Sequence, residues 1–511
     1  MTAPTTATSG RTAYSNGALG ADCSSRSVVG SGTAKGGSGM GCRRPRSLVE
    51  RRPTSQALVS LAGRTAFPER HHISTNIPQT SRTFSCWTEL RANRIHWSAP
   101  STASTALRRS GKRRRCSRIR HLEVIIASQR PARIVVHDYL GHPFQIELSR
   151  ELARRGHDVR HVHCSTIAVG QGKLQVGEPD SGRLSIIGVP QQQNPISGPD
   201  TYGQDVGSLI GDFAPHVVIS GNSPVPVQRD IQQTCAQWRI RFVYWLQDVY
   251  SARAPSVKTR PDDWERTARC EKATLLSSDA VVAIAEPFAD FVRQCGVQPE
   301  HITVIENWAP LAEMECDSDD WAPASSYHSS GEPIFLYSGT LDDRHGADLL
   351  VRLAKACDAR NTGVLIVVSE GSGRRALESA RALGIRRLQL YDFQPYEHVP
   401  RMFAAADVLL AGLSTEAGQM SVPSKVLAYL CAGRPVLAAI PSTNRAAQLL
   451  AEIGAGQVVS PDDPDKYVEA AFALLADPAR RLRMGSAGRQ YARRAFAIEP
   501  IADRFEEILV P

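Results

Sequence analysis

The feature that most constrains this chain is an alternation of apolar runs and amphipathic segments that begins near Arg133. Ile134-Val135-Val136-His137 is a short apolar run, and Asp138-Tyr139-Leu140-Gly141-His142-Pro143 follows it. Phe144, Leu148 and Leu152 then recur every four residues, which sets them on one face of a helix with Glu147, Arg150, Glu151 and Arg154 on the other and Gly156 as the stop. Val159 to Val162 restarts an extended run. Strand, loop, helix and strand in such quick succession form a βαβ unit, which requires a parallel sheet covered by helices. Further strands are expected near 184–189, 216–220, 241–246, 280–284 and 302–305. Cys316 to Gly331, rich in Asp, Ser and Pro, breaks the pattern. A second series starts at Ile334-Phe335-Leu336-Tyr337 and continues near 364–368, 387–391, 407–410, 435–439 and 456–459. Pro464 to Leu509 reads as consecutive helices. The expectation is an α/β chain of two doubly wound parallel-sheet domains, 131–315 and 332–495, joined by a polar linker at 316–331. A last helix, 496–511, is free to pack back on the first domain. Ligands of such sheets bind at the carboxyl ends of strands, so the cleft between the domains is the expected site.

Residues 1–130 do not share the pattern. They are rich in Ser, Thr, Gly and Arg, contain Arg113-Arg114-Arg115, and are expected to be a disordered basic leader outside the enzyme. A start codon assigned too far upstream explains them most simply; an organellar transit peptide or a basic tail is the other reading. The charge divides at the same place. The chain is formally +9, yet the leader holds 22 of the 60 Lys and Arg and only 5 of the 51 Asp and Glu, which leaves the remainder net acidic. Nucleic acid is therefore not an expected partner of the folded part. Eleven scattered cysteines without a C-x-x-C pair argue for reduced thiols and a cytoplasmic protein, and against a metal site. No window approaches 18 uninterrupted apolar residues, so any membrane contact is expected to be peripheral.

Three segments carry chemistry. In Ser421-Val422-Pro423-Ser424-Lys425, running on to Gly433-Arg434-Pro435-Val436, Pro423 suits the first helical position and Ser421 or Ser424 can cap. Free backbone N–H groups, the helix dipole and the Lys425 ammonium then gather where a diphosphate is attracted. A capped structural helix with a solvated lysine reads the same residues. In Tyr337-Ser338-Gly339-Thr340-Leu341-Asp342-Asp343-Arg344-His345-Gly346, Gly339 ends a strand where backbone can approach a ligand. Arg344 is expected at the start of the next helix, able to fork two phosphate oxygens; a plain turn with a surface arginine is the alternative. Gly371 and Gly373, in the turn after the strand 365–368, permit phosphate or ribose approach or make a routine loop. Phe393, in Phe393-Gln394-Pro395-Tyr396, offers an edge to a nucleotide base or belongs to a plain loop. Asp248 is the carboxylate of the first domain most suited to face the cleft, with a helix cap or salt bridge as the rival role. His142 can contact donor or acceptor oxygens, or be an exposed loop histidine with no role. His161 and His163 are expected to point away from any site.

These pieces, in this order, resemble family 4 glycosyltransferases, in particular the bacterial exopolysaccharide and colanic-acid type. The likeness is carried by His137-Asp138-Tyr139, Gly141-His142-Pro143-Phe144-Gln145, Glu151 to Val159, Tyr244-Trp245-Leu246-Gln247-Asp248, Ile305-Glu306-Asn307-Trp308, Tyr337 to Thr340 and Ser421 to Val436. It spans about 133 to 511 and none of the leader. The resemblance implies a GT-B fold, two Rossmann-like domains facing a cleft, and transfer with retention at the anomeric carbon without a metal or other cofactor. It implies Arg344 and Lys425 at the donor diphosphate, with Gly339, Thr340 and Ser424 beside them and Gly141, His142 and Gln247 on the acceptor side. The family's Glu-x7-Glu pair is absent in register: Ala428 stands at the second position and Met420 at the first, with Glu416 the nearest upstream carboxylate. The implied partners are a nucleotide sugar and a glycan or polyprenyl-diphosphate-linked acceptor, the latter met at the inner face of a membrane. A GT-B-type sugar-nucleotide epimerase and a non-catalytic sugar-nucleotide-binding module are the competing functions.

Overall fold

In the computed structural model, residues 131–510 are described, apart from 168–170, 179, 192–200 and 253–260. The leader expected at 1–130 lies outside the described residues. Strand β1 (Arg133–Asp138) leads into α1 (Pro143–Arg154), then β2 (Asp158–Cys164), β3 (Leu184–Val189), α2 (Tyr202–Phe213), β4 (Val217–Gly221), α3 (Val225–Trp238), β5 (Arg241–Leu246), α4 (Pro261–Leu276), β6 (Ala280–Ala283), α5 (Glu286–Cys295) and β7 (Ile302–Val304). The central strands are apolar on both faces because helices cover both sides of the sheet. Every pairing is parallel, and the order is β3-β2-β1-β4-β5-β6-β7.

After α6 (Leu311–Met314) and α7 (Ala322–Ser330) the second sheet begins. It comprises β8 (Ile334–Ser338), α8 (Ala347–Arg360), β9 (Val364–Val368), α9 (Arg374–Ala382), β10 (Leu388–Tyr391), α10 (Val399–Ala404), β11 (Val408–Gly412), α11 (Ser424–Ala432), β12 (Val436–Ala439), α12 (Arg445–Ile453) and β13 (Gly456–Val459). Its order is β10-β9-β8-β11-β12-β13, again parallel. In each sheet the order reverses once, between β1 and β4 and between β8 and β11. Those two switch points, where neighbouring loops diverge and leave a crevice, face the same cleft.

Helices α13 (Pro464–Ala476), α14 (Pro478–Ala495) and α15 (Ile498–Leu509) close the chain. The last lies against α1 of the first domain. Phe505 meets Trp245 at 4.7 Å between ring centroids, and Arg155 and His157 both bind the Glu506 carboxylate, the latter at 2.8 Å. The polar stretch 316–331, expected as a linker, carries α7 and buries Trp321 and Ala324. One local expectation needs correction. Glu147 and Glu151 of α1 do not face water, since Trp308 Nε1 donates to Glu147 at 2.6 Å and Arg154 and Arg155 enclose Glu151.

Candidate functional site

A cleft of about 710 Å³ runs between the two sheets. Its second-domain wall is built on the loop after β8 and the start of α11. Gly339 turns the chain at φ +122°, and a Cβ there would stand 3.3 Å from the Lys425 ammonium, so glycine is what lets lysine and loop meet. Lys425 Nζ donates to Tyr337 Oη at 2.6 Å and lies 3.9 Å from the centre of that ring. The Tyr337 hydroxyl in turn donates to the Thr340 carbonyl at 2.7 Å. Burial pushes the Lys425 pKa down to about 7, against a smaller opposing pull from Asp342. At neutral pH this amine is poised between its charged and neutral forms. Arg344 presents its guanidinium to the same cleft, anchored to Asp342 at 2.6 Å, and the Asp248 carboxylate across the cleft adds to the field that keeps it charged. No side chain caps α11, whose first residues, Ser424 and Lys425, line this wall.

The opposite wall is made of polar side chains at the ends of β1, β4 and β5. Asp138, at the end of β1, accepts from the backbone amides of Leu140 and His142 and so fixes the loop that carries His142. Gln247 and Asn307 exchange side-chain hydrogen bonds at 2.6 and 3.2 Å, which locks both amides at the cleft surface. Beyond Asp248 the chain is tied down by Glu271 of α4, a fully buried carboxylate that accepts from the amides of Tyr250 and Ser251 at 3.0 and 2.9 Å. Phe144, Trp308, Met314 and Tyr396 supply an apolar stretch between the polar patches. Beneath it Glu147 is raised by burial to about 7.

Of the residues singled out from the sequence, Arg344, Lys425, Asp248, Gly339, Thr340, Ser424, Phe393, His142 and Gln247 come together around this one cleft. Four others do not line it. Gly371, at φ +120°, and Gly373 press on the Leu341 carbonyl, where added Cβ atoms would stand 2.4 and 3.0 Å away, so they serve packing between two loops. Gly141 adopts φ +73° beneath Leu174, a turn position behind His142. Glu416 is exposed at the head of a 3-10 turn, Ala417–Gln419, which carries it away while Ser421 to Ser424 take up the cleft edge. Two geometric details also differ. Arg344 lies in the turn ahead of α8 rather than at its first residue, and Pro423 holds the N-cap of α11 with neither serine capping it. His161 and His163 lie outside the cleft lining, buried behind α1, with His161 bonded to Ser149 at 2.9 Å.

Asn222, Asn307, His345 and Tyr337 were missed. Asn222 carried a usable signal, since an Asn after an apolar strand tolerates the left-handed backbone it adopts at φ 53°. Asn307 and Tyr337 show their role only when distant segments meet, whereas His345 is held by Asp342 three residues before it. Among the described residues no group of three or more His, Cys, Asp or Glu is placed to hold a metal ion, and no helix is long and apolar enough to cross a membrane.

Residues 144–308 match the family model for a glycosyl transferase 4-like domain, and residues 332–477 match that for glycosyl transferases group 1. The chain is 24% identical over 242 residues to an Escherichia coli (strain K12) protein named as a colanic acid biosynthesis glycosyl transferase, WcaI, across 46% of this chain and 58% of that protein. It is 27% identical over 178 residues to a GDP-mannose-dependent phosphatidylinositol monomannoside mannosyltransferase of Corynebacterium glutamicum, across 35% of this chain and 47% of that one. The matches thus span about half the length of these relatives. Anabaena HepE, solved in complex with UDP-glucose, shares the fold with a TM-score of 0.58 at 15% identity, across 74% of this chain and 98% of that one. Tandem parallel-sheet domains with a cation-bearing cleft between their switch points define the class, a glycosyltransferase of the GT-B fold. Within it, the chain belongs to the family 4 glycosyltransferases.

Proposed function

We propose that this protein transfers a sugar from a nucleoside diphosphate sugar to a hydroxyl of a glycan or lipid-linked acceptor in bacterial surface polysaccharide synthesis, with retention at the anomeric carbon. The observation that carries the reading is the placement of Arg344, Lys425 and the uncapped start of α11 on one wall of the cleft, opposite Asp248, Gln247 and His142. Two cations and a helix N-terminus are what a departing diphosphate needs, because charge develops on its oxygen as the glycosidic bond breaks. The leaving oxygen then takes the acceptor proton on the face it departs from, so the new bond forms where the old one was. Ala428 lines the cleft and offers no oxygen to the donor ribose, so Ser424 and backbone groups take that task. Phe393 and its loop neighbours line the same cleft and offer an edge to the base. The acceptor reaches the cleft from the side of His142 and Gln247, at the inner face of the membrane for a polyprenyl-linked sugar. No cofactor is invoked; the donor is a substrate.

A thermal-shift screen of UDP-, GDP-, dTDP- and ADP-sugars tests the donor half, because a ligand at a hundred times its Kd stabilises the fold by about 2.7 kcal/mol. One base family should shift the melting curve. Proton NMR of the product tests retention: an α-linked donor should yield an α-linked product, and a β-linked product would overturn the front-face route.

A further inference from the structure

The turn that presents Arg344 is organised by one residue, Asp342. Its carbonyl accepts from the His345 amide at 3.1 Å, closing the turn, while its carboxylate Oδ1 accepts from the Arg344 amide at 2.9 Å. The same carboxylate takes the Arg344 guanidinium, with Nε at 3.0 Å and Nη2 at 2.6 Å from Oδ2. It also meets His345 Nδ1 at 2.7 Å from Oδ1. His345 Nδ1 stands 3.2 Å from the Asp342 amide as well, but the shorter contact to the carboxylate favours a proton on Nδ1. Arg344 and His345 line the cleft; Asp342 does not, and stands behind both. Neighbouring Asp343 faces elsewhere, accepting from Ser372 Oγ at 2.9 Å. A guanidinium on a flexible stem gains little from reaching a phosphate unless its rotamers are already restricted, and a carboxylate gripping two of its nitrogens supplies that restriction.

We propose that Asp342 is a positioning residue of the transfer reaction: its carboxylate holds Arg344 and His345 toward the cleft so that they meet the donor diphosphate without reorganisation. The proposal rests on the donor assignment above. Burial pushes the Asp342 carboxyl up, yet hydrogen bonds from His345 and Arg344 outweigh it and hold the group far below the usual carboxylate range, so it is ionised wherever the enzyme works.

The test is calorimetric titration of UDP and GDP into the full chain, its Asp342→Asn variant and its Asp343→Asn variant, followed by kcat and donor KM. Asp342→Asn keeps the shape of the side chain and its Oδ1 acceptor while removing the charge that grips the guanidinium. Nucleoside diphosphate affinity should fall about tenfold and donor KM rise in step, while acceptor KM stays within about twofold. Asp343→Asn should behave as wild type, and Asp342→Glu should recover part of the loss. In an Arg344→Ala background, Asp342→Asn should add no more than about threefold, because most of its effect runs through the arginine. Wild type that binds neither UDP nor GDP, nor any other nucleoside diphosphate, removes the donor assignment itself. Wild type that binds while Asp342→Asn binds equally well refutes the positioning role alone. So does an equal loss in Asp343→Asn, or a lowered melting temperature with unchanged donor KM.

Discussion

Lys425 offers a prediction whose size follows from the structure. Its pKa, ordinarily 10.5, is drawn to about 7 by burial, with only Asp342 pulling the other way. Arg344 and His345 face the same space, but Arg344 stays charged, and burial lowers the His345 pKa below its usual 6.5, so neither changes its charge above neutral pH. If the ammonium form receives the diphosphate, binding must take up a proton wherever the empty site has lost one. Between about pH 7 and 9 the protonated fraction drops from about half to about one in a hundred, so nucleoside diphosphate affinity should weaken about fiftyfold over that range. Below about pH 7 the dependence on Lys425 should flatten. Titrating UDP and GDP from about pH 7 to 9 keeps their own phosphates largely ionised; Glu147, raised to about 7, ionises at the lower end of this range, so the comparison with a Lys425 variant is what isolates the lysine. Lys425→Met should bind more weakly and lose this slope. Affinity that is constant across the range in wild type, or an undiminished slope in Lys425→Met, would refute the reasoning.

The same buried amine should cost stability. Because the folded pKa lies below the unfolded one, the penalty is fully present below about 7 and fades as pH rises toward 10.5, so Lys425→Met should raise the melting temperature most near pH 6 to 7. Arg344→Ala and Lys425→Ala should each lower kcat/KM on the order of a hundredfold, and the double variant should lose less than the product of the two, since both act on one leaving group; strict multiplicativity in steady-state rates would separate their roles. Glu271→Ala strips the buried partner from the Tyr250 and Ser251 amides and should cost roughly 2–4 kcal/mol in urea unfolding, with activity falling as the Asp248 loop loosens. Phe505→Ala opens the aromatic packing against Trp245 and Trp308 and should cost about 3–5 kcal/mol, detaching α15 from the first domain.

The sheets were legible because their signal is local. Buried parallel strands such as 241–246 and 364–368 are continuous apolar runs, and glycines such as Gly156 and Gly433 mark helix ends at positive φ, so alternation alone located nearly every strand. The cleft was legible where a motif ends a strand, as at Gly339, Gln247-Asp248 and Pro423 to Lys425. It was obscure where the chemistry depends on packing between segments. Gly371 and Gly373 look like phosphate-approach glycines until the Leu341 carbonyl is seen against them. Nothing in the spacing of α1 shows that Glu147 will meet Trp308, a residue of the loop beyond β7. Likewise the lowered pKa of Lys425 comes from burial among residues far away in sequence, Tyr337 and Gly339 among them, and Asp342 reads as one of two equivalent aspartates until the turn is folded.

The most direct measurement is the stoichiometry of turnover. The full chain is incubated with the nucleotide sugar that most stabilises it, with and without free glycans and polyprenyl-diphosphate-linked sugars, and nucleoside diphosphate and sugar products are separated by chromatography. Transfer predicts nucleoside diphosphate and glycosylated acceptor appearing one for one, with little of either when acceptor is withheld. An epimerised nucleotide sugar formed without acceptor, or tight donor binding with no turnover across the acceptor panel, would contradict it.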